Sequence, residues 1–453
     1  MRIRRGVLKR RLERVLTKNM GKQISVKNIK DLREVPAPSR TFNVAKLTVI
    51  YNNGEPENKE LRLILKRLKP DYKGTDFSNI NSGIHKSLEN PLSYTKNLFE
   101  YLQGPISNGE EGALVRFYGQ DGRDIFEEDA NDISVEKLFI EKTPDPNLLE
   151  RIINILAIEH FRWSEKIGSN IDKLVEIHKQ ENFSKKLEYN MDVILKNKGK
   201  EIIGVDREVL KTLFNEIEAY LTNPNFNIYF KLIHSDLHLG HTYLRYGGLE
   251  LNDILSMDKK ELRKLDPKIK IIDVTGMSIG PQTFDLVDIL KHPAAVNPDE
   301  YMTEDTQRKF VESLVEKYRA KTFEVLSSKY EFKNGSGKIK KSLDFLALFY
   351  ISNIYRDIRA KAKSILLQSK HKELYSIYTQ LNPKYDLYAP WYLADLGQTL
   401  RYLILNRDFE GIFKEDSSIN KNLLEQSYDI LRKTVEGIGD INPIGLSKQI
   451  IKN

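Results

Sequence analysis

The chain contains no cysteine. Disulfides, cysteine–zinc sites and thiol nucleophiles are therefore excluded, and the composition fits a cytoplasmic protein. No uninterrupted apolar run approaches the roughly 18–20 residues that a bilayer-spanning helix needs. The basic residues at the start are not followed by an apolar stretch of the signal-peptide kind. Histidine is also sparse, at 8 of 453 positions, so no second histidine-rich segment exists to complete a metal cage. Nor is one sign of charge strongly dominant: 72 basic residues against 64 acidic ones leave a net charge of +8.

What the chain does have is enough apolar material for a sizeable core, 40% of residues, with 30% charged. That composition excludes global disorder, and the length suits two to three domains or one two-lobed enzyme. Much of the positive excess sits in residues 1–23, where Arg2, Arg4, Arg5, Lys9, Arg10, Arg11, Arg14, Lys18 and Lys22 face a single acid, Glu13. Val7, Leu8, Leu12, Val15 and Leu16 recur there at helical spacing, which predicts an amphipathic basic helix. Two readings follow. The segment is an arm making weak contact, through residues 1–22, with a polyanion such as RNA, anionic lipid or an acidic partner. Alternatively it packs on the first lobe as a solvated helix.

Residues 24–130 read as strands around one helix. VAKLTVIY (44–51) and ELRLILKRL (60–68) flank the turn-forming NNGEPENK, SYTKNLFEYLQG (93–104) is helical, and ALVRFYG (113–119) and DIFEEDA (124–130) flank QDGR. After Pro146 the periodicity becomes helical, with short strands at FNIYFKLI (226–233) and KIKIID (268–273). The expected fold class is α+β: a small antiparallel β lobe over 24–130, a second lobe over 131–299, and a helical extension over 300–453.

The chemistry concentrates in LIHSDLHLGHTYLR (232–245), with His234, Asp236, His238 and His241. A closed tetrahedral zinc cage wants converging side chains, and these irregular spacings with Gly240 between them serve it poorly. Phosphoryl transfer explains more of the pattern. It needs a carboxylate to take the acceptor's proton, ligands for a divalent cation, a strand lysine for phosphate oxygens and a glutamate to aim that lysine. A strand leading into His-x-Asp, followed by a strand ending on Asp273, supplies the first two.

At these two motifs the sequence resembles the aminoglycoside phosphotransferase and choline kinase group of small-molecule kinases. That group's loop typically reads HGDLHPGN and its second segment IDFEYAGIGDPAYDLA; here they are HSDLHLGH and IIDVTGMSIGPQTFDLVD. The loop is also similar to the maltokinase and glucosamine kinase variant. The resemblance covers roughly residues 30–290 and implies a two-lobed protein-kinase-like fold using ATP and magnesium, or manganese, on a small-molecule acceptor. Carried over residue by residue, it implies Asp236 as base, His234 orienting the loop, and His241 and Asp273 as metal ligands. It further implies Lys66 as phosphate anchor, Glu100 as its aligner and Asp285 as a buried brace. Ser39, Arg40 and Thr41 would cover the nucleotide, and Glu128 would lie in the segment meeting adenine through its backbone.

The departure is His241, where the group usually has asparagine. Imidazole is a poor donor to magnesium, so one metal site is weakened, or takes a softer ion, or acts through water. A catalytically inactive nucleotide-binding scaffold stays open as the alternative, and an RNA-associated protein as a weaker one. Arg356, Arg359 and Lys363 share one helical face, and Tyr385, Tyr388, Trp391 and Tyr392 cluster nearby in sequence. A solvated stripe and an ordinary aromatic core are the plain readings of these; an acceptor surface for a sugar or polyol is the functional one.

Overall fold

A computed structural model describes residues 4–35, 42–70, 91–103, 112–130, 133–142, 145–167, 193, 230–274, 277–295, 303–329, 342–370, 372–381 and single positions within 391–402. The first part is α1 (Arg5–Met20), then β1 (Ser25–Val35), β2 (Phe42–Asn52), β3 (Lys59–Leu68), α2 (Pro91–Gln103), β4 (Phe117–Asp121) and β5 (Asp124–Glu128). The strands form one antiparallel sheet in the order β1-β2-β3-β5-β4. The NNGEPENK turn joins β2 to β3 as its composition predicts. β1 carries no clear strand pattern of its own: its exposed polar residues interrupt the alternation.

Strand alternation gives the sheet two different faces. Leu47, Val49, Leu63, Leu65 and Phe126 point to one side and pack on Leu8, Leu12, Val15 and Leu16 of α1. The basic helix is therefore a layer of the first lobe. Its apolar stripe closes a core of its own, and fully burying each leucine is worth about 1.5–3 kcal/mol. Arg11 bonds Asp124 at 2.5 Å and Arg14 bonds Asp121 at 2.8 Å, so part of the basic face is spent inside the lobe. The helix comes so close to β4 that a Cβ at Gly119 would lie 3.0 Å from Val15. Gly119 is also held at a φ of +138°, which disfavours any side chain there.

The opposite face of the sheet turns Phe42 and Ile125 toward the main core, which also takes Leu98, Phe99 and Leu102 of α2. That core continues through the helical part: α3 (Val135–Glu141), α4 (Pro146–Ile167), β6 (Phe230–Ile233), β7 (Thr242–Arg245), α5 (Leu251–Ser256), α6 (Lys259–Lys264), β8 (Lys268–Ile271), β9 (Ser278–Pro281), α7 (Thr283–Leu290), α8 (Glu304–Lys329), α9 (Ser342–Lys370) and α10 (Lys372–Leu381). β6 pairs with β9 and β7 with β8, both antiparallel. The fold is α+β, a small antiparallel sheet followed by a larger helical part. Among the described residues no helix is long and apolar enough to cross a membrane.

Candidate active site

β6 delivers the chain into the loop 234–241. Leu237 and Leu239 are fully buried, so the residues alternating with them, Asp236 and His238, are left half-buried together with His241. Gly240 keeps its neighbours close: a Cβ there would lie 2.5 Å from the Glu136 carboxylate and 2.8 Å from the His238 ring, so both would have to shift.

The loop is fixed mainly by its backbone. Asp285, fully buried on α7, accepts the N–H of His234 at 2.6 Å and of Ser235 at 2.8 Å. His160 of α4 reaches the same carboxylate at 2.8 Å, and its other nitrogen lies 2.6 Å from the Tyr318 hydroxyl, which donates to Gln282. Arg359 of α9 donates to the Ser235 carbonyl at 2.8 Å. Both backbone groups of Ser235 are thus held, which supports its left-handed φ of +66°. His234 donates from Nε2 to the carbonyl of Ile272 at 2.7 Å, since a carbonyl can only accept. That bond ties the loop to the residue before Asp273, itself at a φ of +61°. Burial first, with His241 adding to it, lowers the His234 pKa and keeps the ring neutral.

Asp236 has the strongest electrostatic setting. Burial alone would raise its carboxyl, but Lys363, His241, Arg359 and His238 outweigh burial and hold it well below the usual carboxylate range. Asp288, one turn beyond Asp285, goes the other way. Burial pushes it up to about 8, although Arg356 and Arg359 pull it down.

In the first lobe Lys66 lies on the face of β3 turned from α1. Its Nζ is 3.0 Å from Glu127 and 3.9 Å from Asp273 across the lobes. Burial would lower this lysine, but Glu127 and Asp273 raise it, so it stays protonated. Glu100 does not aim it. The buried positions of α2 are Leu92, Thr95, Leu98, Phe99 and Leu102, which turns Glu100 outward, exposed, 3.8 Å from Lys96. Glu127 takes the place instead. Ile125 is the strand partner of Lys66, and the residue two further along β5 lies diagonally opposite on the same face. Period-two reading of IFEE against LILK carried that signal.

Glu128 also differs from expectation. Its N–H is spent on the Arg116 carbonyl at 2.7 Å, and its side chain bonds Arg245 at 2.7 Å and approaches Lys270 at 3.3 Å. It acts as a strut between β5 and the β7–β8 pair and offers no backbone donor to a base. Ser39, Arg40 and Thr41 lie outside the described residues, as do Tyr385 and Tyr388.

The expected pairing of His241 with Asp273 is not what the loop gathers. Ligand atoms of Asp236, His238 and His241 lie within 4.8 Å of one another, and Asp273 is not among them. The basic stripe on α9 divides as well. Arg356 is half-buried, donating to Asp357 at 2.6 Å and Asp395 at 2.8 Å beneath Trp391 and Tyr392, and it caps α7 through the Lys291 carbonyl at 3.1 Å. Arg359 and Lys363 are the two that face Asp236.

Lys66 and Asp273 fit a nucleotide phosphate and its cation by chemistry: a protonated lysine suits phosphate oxygens, and a carboxylate that is 41% exposed, 3.9 Å from it, suits the cation. The Asp236, His238 and His241 set, with two imidazoles, does not fit magnesium.

No family model matches the chain, and no curated protein matches it. Among solved structures it is similar to an ethanolamine kinase of Plasmodium vivax, with 12% identity over 77% of each chain and a TM-score of 0.42. It is also similar to APH(2")-IIa in a ternary complex with streptomycin and ATP, with 13% identity over 83% of this chain and 99% of that one and a TM-score of 0.37. Both belong to the group that the two motifs resemble. At these scores the agreement carries no argument by itself.

Proposed function

We propose that the chain is an ATP-dependent phosphotransferase acting on a hydroxyl of a small molecule. The observation that carries this reading is the approach of Lys66 to Asp273 across the lobes, beside a loop whose ionised Asp236 is pinned through its backbone. Bound ATP with its divalent cation supplies the transferable phosphoryl group. Lys66 holds phosphate oxygens, Asp273 offers a hard oxygen to the cation, and Asp236 accepts the acceptor's hydroxyl proton at a carboxylate oxygen. Glu127 aligns Lys66 in the role first given to Glu100. His234 and Asp285 position the loop.

The acceptor we favour is a sugar or polyol. Lys363 and Arg359 surround Asp236 with positive charge, which disfavours a cationic alcohol beside it. The test is turnover of ATP with magnesium or manganese against sugars, amino sugars, choline, ethanolamine and aminoglycosides. Turnover confined to the cationic alcohols overturns the sugar assignment.

The second reading is a nucleotide-binding scaffold. It is favoured by His241, whose Nδ1 is engaged by the Asp236 carbonyl at 2.8 Å and whose imidazole groups with Asp236 and His238. ATP binding that depends on Lys66, with no transfer to any acceptor, would establish it.

A further inference from the structure

The loop chosen for its resemblance to a magnesium-dependent kinase loop carries donors of a different kind. Asp236, His238 and His241 place two imidazoles and one carboxylate within 4.8 Å of one another, all half-buried on the same side of the loop. The buried Leu237 and Leu239 enforce that arrangement by taking the intervening positions into the core. The rings of His238 and His241 are 3.9 Å apart, tilted by 36°.

The hydrogen bonds define which nitrogens are available. The Asp236 carbonyl, 2.8 Å from His241 Nδ1, can only accept, so Nδ1 carries a proton and Nε2 is the nitrogen left to bind a metal. Anchoring the distal N–H on a backbone carbonyl is the arrangement that orients metal-binding histidines. His238 is the weaker ligand, because its Nδ1 accepts the Gly240 N–H at 3.0 Å and coordination would disturb that bond or its tautomer. Arg359 and Lys363 nearby also oppose a cation, so the donors must be matched to the ion for it to bind.

We propose that Asp236, His238 and His241 form a binding site for a borderline divalent transition ion, such as zinc or cobalt, separate from the cation position at Asp273. Two nitrogens and one oxygen suit such ions and not magnesium, and three protein ligands leave a coordination position open. Binding does not require the phosphotransferase reading. If that reading holds as well, the ion occupies the base and inhibits transfer.

The experiment uses the full chain stripped of metal by chelation. Zinc and cobalt are titrated by calorimetry, and cobalt also by its visible absorption, with magnesium as the contrast. One equivalent of cobalt should bind with the intense visible bands of a four- or five-coordinate site, and magnesium should not displace it. His241→Ala should weaken cobalt binding about 100-fold and His238→Ala about 10-fold, in line with losses on disturbing metal shells. Histidine ring-nitrogen NMR of the unaltered chain, needing no variant, should show zinc shifting His241 Nε2. Unchanged affinity in both variants, displacement by equimolar magnesium, or no shift at that nitrogen overturns the site. Zinc binding without inhibition of transfer leaves the site standing and counts against Asp236 as the base.

Discussion

The two halves of this molecule place charged groups by different physics. In the sheet, alternation along β3 and β5 decides everything: Lys66 and Glu127 meet because both project from the same face at diagonal positions. In the loop 234–241, orientation comes from outside, through a carboxylate on α7, a histidine on α4 and an arginine on α9. A strand can therefore be read locally for what it presents. A loop presents what distant elements hold.

Removing Asp236 should separate the halves most sharply. Asp236→Asn is expected to lower transfer by about 10²–10⁴-fold. Nucleotide affinity, measured by calorimetry, should stay nearly unchanged because the first lobe is untouched. Activity near that of the unaltered chain would remove Asp236 from its assigned role.

Next in size are two substitutions that destabilise either half. Asp285→Ala strands two loop N–H groups and His160, and should cost about 3–5 kcal/mol in urea denaturation, as losses of one partner from buried charged pairs do. Leu12→Ala, in the layer above the sheet, should cost about 2–5 kcal/mol. Deleting residues 1–22 should prevent the first lobe from folding. A soluble, folded deletion product, judged by circular dichroism, would restore the free-arm reading.

A smaller effect comes from Asp288. Its carboxyl is raised from 3.8 to about 8 in the fold, so the folded state binds more protons than the unfolded chain between those values. Stability from this group therefore falls as pH rises through that window and levels above it. Asp288→Asn keeps the neutral form, so its melting temperature should exceed that of the unaltered chain by a margin that widens from pH 5 to pH 8. A constant margin would show that Asp288 does not titrate there.

The smallest change is the sharpest control on the sheet. Glu100→Ala should alter stability by less than about 0.5 kcal/mol and leave ATP affinity unchanged. Glu127→Gln should weaken ATP binding. The reverse result would return the aligning role to α2.

Legibility in the sequence follows the same division. The hairpin, the strand bearing Lys66, and the order of the Asp236 and Asp273 segments were readable because each is a local pattern. Asp285 was readable only through its place in a resembling motif. His160, Tyr318 and Gln282 carried no local signal: each looks like an ordinary helical or loop residue, and their meeting depends on how α4, α7 and α8 cross. Glu100 misled for a related reason. It lay on a helix of the expected kind, but the apolar spacing of that helix had already turned it to solvent. Arg356, which reads as part of a solvated stripe, is drawn largely out of solvent because Asp357 and Asp395 meet it there.

The contact between Arg11 and Asp124 spans 113 positions. During synthesis the helix is made long before β4 and β5, the last strands of its sheet. At about 5–20 residues per second, its partner follows roughly 6–23 s later. For that interval Leu8, Leu12, Val15 and Leu16 form an apolar stripe that lacks Phe126 among its partners. Arg5, Lys9, Arg10, Arg14 and Lys18 flank it as like charges that repel other nascent copies. The same basic residues that border the apolar stripe thus place like charge around it before the sheet is complete.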